Sequence, residues 1–138
     1  MEKEYKISVT SSTKNLHKIR NFIEETALNS GISREKTDEI ILAVDEACTN
    51  IIKYTYKYEE KHKISIKIKN KDNKLIVEII YRGKGFDPNK VKSPDMKEYF
   101  KNYKVGGLGI PLMRKFVNKI EYNFIKPNLN KLILVKQI

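Results

Sequence analysis

Apolar residues along this 138-residue chain change their spacing several times, and each change marks an element. Residues 4–10 (EYKISVT) alternate weakly and predict a strand. From Asn15 to Ser30, Leu16, Ile19, Ile23 and Ala27 recur at helical spacing, and Gly31 is placed to stop the helix. Ser33 is suited to N-cap a longer helix reaching about Tyr54. Its apolar stripe comprises Ile40, Ile41, Val44, Ala47, Cys48 and Ile51. A hairpin follows: KISIKIK sets Ile64, Ile66 and Ile68 on one face and lysines on the other, NKDN turns the chain, and KLIVEII returns it. The returning strand is apolar on both faces except at Glu78, which predicts a central place in its sheet.

Residues 82–107 show no sustained period and contain Pro88, Pro94, several glycines and many lysines. They read as a long loop with a short helix near Met96–Tyr99, and so long a loop in a compact domain is more often functional than idle. In GGLGIPLMRKFVNK, Pro111 suits the first turn of a helix, with Leu112, Phe116 and Val117 facing the core. IEYNFIK, a turn at PNLN and KLILVKQ make a second hairpin. The order β-α-α-β-β-loop-α-β-β predicts an α+β fold: a two-layer sandwich of a mostly antiparallel mixed sheet with helices on one face. One domain spanning 1–138 is the expected organisation.

Hydrophobic residues make up 40% and charged residues 33%, which excludes a disordered chain. No apolar run reaches membrane-spanning length and MEKEYKISVT lacks the apolar core of a signal peptide, so a cytoplasmic location is expected. Cys48 is the single cysteine; it forms no intrachain disulfide and reads as buried filler. Lysines and arginines number 28 against 17 acids, a net charge of +11. That charge invites nucleic acid. Only Arg20, Arg34, Arg82 and Arg114 are arginines, however, the better residue for reading bases and phosphates. Lysines spread over nearly every element describe a solvated surface, or one suited to an acidic protein partner.

Three features carry candidate chemistry. In DEACTN, Glu46 and Asn50 lie four apart and share a helix face offset from the apolar stripe. The carboxylate is suited to orient a hydroxyl or water, and the amide oxygen to ligate Mg²⁺; a solvent-facing polar pair is the plain alternative. GGLG before a proline-started helix offers backbone N–H groups and a helix N-terminus to phosphate, or merely a flexible start to the helix. Gly83 and Gly85 in RGKG permit close backbone approach after a strand, or form an ordinary turn.

Taken in order, DEIILAVDEACTNIIKYTYK, YRGKGFDP and GGLGIPLMRKFVNKIEY resemble the GHKL, or histidine-kinase-like, ATPase superfamily. Within it, LAVDEACTN is similar to the anti-sigma-factor serine/threonine-protein kinases. The resemblance covers almost the whole chain and implies ATP and Mg²⁺ as cofactors. It makes Glu46 the general base toward a serine hydroxyl and Asn50 the Mg²⁺ ligand. Gly83 and Gly85 match the glycines beside adenine, while Gly106, Gly107, Leu108 and Gly109 fall in the phosphate-cradling box. The implied partners are a sigma factor, an antagonist protein as phosphorylation substrate, and a second copy in a homodimer.

The pattern breaks at the base. Tyr81 stands where the family has the aspartate that anchors adenine, and Asn130–Lys131 stand where Gly-Thr often leads into the last strand. Losing a charge-assisted hydrogen bond in a buried site costs ~1.5–3 kcal/mol, one to two decades of affinity. An ATP-dependent kinase that sequesters a sigma factor is the first expectation. A degenerate partner-binding module with weak or no ATP binding is the alternative. Nucleic acid is not the expected partner.

Overall fold

The computed structural model describes residues 3–84 and 109–138, with side chains in the second stretch from Met113 onward. The stretch holding the expected helix near Met96–Tyr99, and Gly85, Gly106, Gly107 and Leu108, lies outside the described residues.

Strand β1 (Lys3–Thr10) leads through a 3₁₀ turn at Thr13–Asn15 into α1 (Leu16–Asn29). Gly31, at φ +81°, takes the left-handed conformation that ends this helix. Helix α2 (Arg34–Asn50) begins at Ser33, whose hydroxyl accepts a hydrogen bond from the Lys36 N–H. It does not run on as an α-helix to Tyr54. The register widens after Asn50 into a π-helical turn, Ile51–Thr55, closed by Tyr56 N–H donating to Ile51 O at 3.1 Å. Strands β2 (Lys63–Lys71) and β3 (Lys74–Arg82) are joined by Asp72 and Asn73, both at positive φ, the geometry of a tight two-residue hairpin. Helix α3 (Gly109–Phe116) precedes β4 (Lys119–Ile125) and β5 (Leu129–Gln137).

The strands form one sheet in the order β1-β2-β3-β5-β4, every pairing antiparallel. β3 is central, as its two apolar faces predicted. Strand residues alternate between faces. Ile64, Ile66 and Ile68 of β2, Leu75, Val77, Ile79 and Tyr81 of β3, and Leu132 and Leu134 of β5 all point inward. There they meet Ile19, Ile23 and Ala27 of α1, Ile40, Val44, Ala47 and Cys48 of α2, and Ile51 of the π-turn in one core. Burial pushes the Cys48 thiol upward and keeps it protonated, the filler its context predicted.

In α3 the deepest described anchor is Met113, fully buried, whereas the expected anchor Phe116 is only half-buried. Val117 is buried just beyond the helix. Lys136 on β5 fastens this corner, donating to Phe116 O at 2.6 Å and to Glu39 Oε2 of α2 at 2.8 Å. A lysine at a helix C-terminus both satisfies a free carbonyl and opposes the helix dipole. These contacts hold the end of α3, and hence α3 itself, beside α2.

Candidate functional site

Glu46 and Asn50 occupy successive turns at the C-terminal end of α2, as their spacing predicts. Asn50 is 8% exposed and Glu46 half-buried, so neither is a freely solvated surface polar group. Desolvation, reinforced by the neighbouring Asp45 carboxylate, raises the Glu46 pKa above the usual range, while Lys53 opposes the rise. Asp45 is itself raised by burial and opposed by Arg20, whose Nε lies 3.1 Å from Oδ1. A carboxyl tuned upward is a better proton acceptor near neutral pH than an exposed one.

The π-turn after Asn50 aims the next residues at the end of β3. Tyr56 is 3% exposed, and its hydroxyl donates to Arg82 O at 2.5 Å. Burial pushes this phenol up, so it stays a donor. The Thr55 hydroxyl donates to Lys84 O at 2.8 Å. Gly83 lies between these anchors at φ +131°, and a Cβ there would sit 3.1 Å from Thr55 Cγ2. The backbone passes that close because the residue has no side chain. Gly83 thus connects the β3 turn to the helix that bears Glu46 and Asn50. Gly109 opens α3, which packs on the same helix.

The position expected to hold adenine is occupied differently. Tyr81 is 2% exposed and belongs to the core, with Tyr56 edge-on at a centroid distance of 6.5 Å. Directly across the ladder from Tyr81 lies Asn130, fully buried. Its amide donates to Gly83 O at 2.9 Å and to Tyr81 O and Asn128 O at 3.3 Å. Its Oδ1 accepts from the Tyr122 hydroxyl. Gly83 N–H donates to Asn128 O at 2.8 Å, and Arg82 donates to Asn128 Oδ1 at 3.0 Å. Of the pair Asn130–Lys131, only Asn130 faces the helices; Lys131 lies opposite Ile80 on the other side of the sheet.

The parts played by Tyr56, Thr55, Tyr122 and Asn128 have no counterpart in the sequence reading. Each acts through a contact set by the π-turn or by cross-strand register, neither of which composition or spacing encodes. The YTY run after DEACTN is the one visible trace, and only for Thr55 and Tyr56.

The donor set fits a phosphate-bound Mg²⁺ at one end and breaks with the usual base contact at the other. Asn50 offers a hard amide oxygen, and Mg²⁺ is commonly held by few protein ligands together with substrate phosphates. Among the described residues no three His, Cys, Asp or Glu side chains gather as a metal cage. Where the resemblance expects a carboxylate, Tyr81 sets a buried aromatic ring, and Asn130 is already committed to backbone carbonyls.

Among the described residues no helix is long and apolar enough to cross a membrane. The Bacillus subtilis serine-protein kinase RsbW is 28% identical over 107 residues, 74% of this chain and 66% of its own length. The chain thus spans just under two thirds of that relative. RsbW of Listeria monocytogenes is 28% identical over 119 residues, covering 81% of this chain and 76% of its own. The serine/threonine-protein kinase BtrW of Bordetella bronchiseptica is 24% identical over 119 residues, or 86% and 81%. A chain in the crystal structure of the SiaB–SiaC complex from Pseudomonas aeruginosa shares the fold at a TM-score of 0.67 and 13% identity. That match covers 95% of this chain and 88% of the other. The family model of the histidine kinase-like ATPase domain matches residues 9–136, in agreement with the sheet and the helix layer. The chain belongs to the histidine kinase-like ATPase domain family.

Proposed function

We propose that this protein is an ATP-dependent serine/threonine-protein kinase that binds a sigma factor and phosphorylates an antagonist protein, acting in the cytoplasm as a homodimer. The observation that carries the reading is the α2 pair: an upward-tuned Glu46 carboxyl one turn before the nearly buried Asn50. Glu46 accepts the proton of the incoming serine hydroxyl, and its raised pKa matches that task. Asn50 would hold Mg²⁺. ATP when bound supplies the phosphoryl group, in a chemistry dominated by positioning and charge neutralisation. Gly83 keeps the β3 turn against the π-turn, so the base end and the catalytic helix move as one unit. The similarity to RsbW and BtrW, both named as kinases, supports the assignment.

The second reading is a module that sequesters its partner with little or no ATP binding. It is favoured by Tyr81 in the core and by Asn130 in its backbone clamp, since neither leaves the usual acceptor for an adenine amino group.

Calorimetric titration of ATP, with and without Mg²⁺ and alongside GTP, separates the two. The kinase reading expects ATP binding that Asn50→Ala weakens chiefly when Mg²⁺ is present, and loss of phosphoryl transfer in Glu46→Ala. No binding at millimolar nucleotide, together with sigma-factor association that survives Glu46→Ala, leaves the sequestering reading.

A further inference from the structure

The two buried asparagines of the candidate site are used in opposite ways. Asn50, 8% exposed at the end of α2, makes no side-chain hydrogen bond to the turn that follows it. Asn130 is fully buried, and its amide donates to Gly83 O, Tyr81 O and Asn128 O. Two amide hydrogens shared among three carbonyls leave no donor for a ligand. Its Oδ1 accepts from the Tyr122 hydroxyl. Three further donors of this turn are committed in the same way. Gly83 N–H donates to Asn128 O, the Tyr56 hydroxyl to Arg82 O, and the Thr55 hydroxyl to Lys84 O. Tyr81 is 2% exposed, so a ligand resting on the turn meets neither its ring nor the Asn130 amide.

Base selection needs what this turn has committed elsewhere. Adenine carries an amino donor where guanine carries a carbonyl acceptor, and telling them apart takes a fixed partner at that position. A site built to hydrogen-bond one such group rejects the analogue lacking it by about 10⁴–10⁵, whereas a pocket without the partner discriminates weakly between isosteres. The other end of the site is indifferent to the base. Asn50 offers a hard oxygen to Mg²⁺ carried by a triphosphate, and the triphosphate is the same in ATP, GTP, CTP and UTP.

We infer that the site takes magnesium nucleoside triphosphates as a class, held through the phosphates at Asn50, and does not select adenine over other bases. The inference rests on the kinase reading and deepens it, because it names the phosphoryl donor. On this account the Tyr81 and Asn130 arrangement removes base selectivity and leaves nucleotide binding in place.

The test is calorimetric titration of the full chain with ATP, GTP, CTP and UTP, each with Mg²⁺. Magnesium tripolyphosphate and adenosine are the comparators. ATP and GTP should bind within about threefold of each other, and the pyrimidine nucleotides within about tenfold of both. Tripolyphosphate should displace ATP, and adenosine should not bind at millimolar concentration. Asn50→Ala should weaken all four nucleotides by a common factor of about tenfold when Mg²⁺ is present. Tyr81→Asp supplies the missing carboxylate and should raise the ATP-over-GTP ratio about tenfold. If that variant fails to fold, the comparison of nucleotides in the parent decides. An ATP preference over GTP greater than about tenfold in the parent overturns the inference and leaves the kinase reading standing. Adenosine competing with ATP, or a folded Tyr81→Asp variant with an unchanged ratio, does the same. Absence of binding by every nucleotide overturns both.

Discussion

Asn130 acts as a buried fastener. Its amide lies where three backbone carbonyls converge, and its carbonyl receives the Tyr122 hydroxyl. Replacing it by leucine preserves approximate volume but leaves those carbonyls and the phenol short of partners. Asn130→Leu should cost about 2 kcal/mol of unfolding free energy, read from the urea midpoint. Glu46 has the opposite character, because its place costs stability at neutral pH. Its folded-state pKa is raised, so the folded state holds the proton more tightly than the unfolded chain does. The Glu46 contribution therefore falls as pH rises through the carboxylate range and is flat above the folded pKa. Glu46→Gln should melt higher than the parent near neutral pH, with the difference vanishing as the pH drops below the ordinary carboxylate pKa. Melting curves of the two proteins across that range check the sign. The α2 pair is legible in the sequence because helical spacing alone puts Glu46 beside Asn50. The departure at Tyr81 is legible as well. That Asn130 clasps the Gly83 turn is not, since it depends on β3 and β5 pairing Tyr81 with Asn130.

At the level of elements, periodicity locates each helix and strand among the described residues, and its main misreading is physically informative. The apolar stripe of α2 continues smoothly past Asn50 into Ile51, so an α-helix to Tyr54 is the natural expectation. The widened turn at Ile51–Thr55 swings Tyr56 into the core and leaves Tyr54 53% exposed. A π-turn is held in place by its tertiary contacts more than by local preference, and such turns are frequent at functional sites. Here the contact is Tyr56 with Arg82 O, joining α2 to the end of β3. Tyr56→Phe keeps the ring and removes that bond. It should cost about 1 kcal/mol in urea unfolding and speed hydrogen exchange selectively at Gly83. Lys136 makes the corresponding link for α3, with its side chain 12% exposed between Glu39 and Phe116 O. Lys136→Met keeps the stem and strands a half-buried carboxylate. The expected loss is about 2 kcal/mol, and Glu39→Gln in the same chain should recover part of it in a double-mutant cycle. Phe116 departs from its expected place because the buried contact of the described part of this helix falls to Met113, where α3 packs on α2.

For the molecule as a whole, the governing quantity is its charge of +11. The ion pairs that involve lysines and arginines are mostly exposed, such as Arg34 with Asp38 at 2.7 Å and Lys61 with Glu59 at 3.5 Å. Pairs of that kind contribute little each. The excess lysines repel one another over the outer sheet face and along β2, and repulsion between like charges opposes the compact state. Dissolved salt screens the long-range repulsion more than the short contacts, since the Debye length falls to about 10 Å near 0.1 M. The melting temperature should therefore rise as sodium chloride is added from low ionic strength, by an amount equivalent to on the order of 1 kcal/mol, or a few degrees for a chain of this size. A fall would mean that specific ion pairs outweigh the net charge. The charge-reversed pair Lys69→Glu with Lys131→Glu sharpens the comparison. Each reversal lowers the net charge by two, so the variant carries +7 (11 − 4). Its melting temperature at low salt should be higher than the parent's, and its gain from added salt smaller.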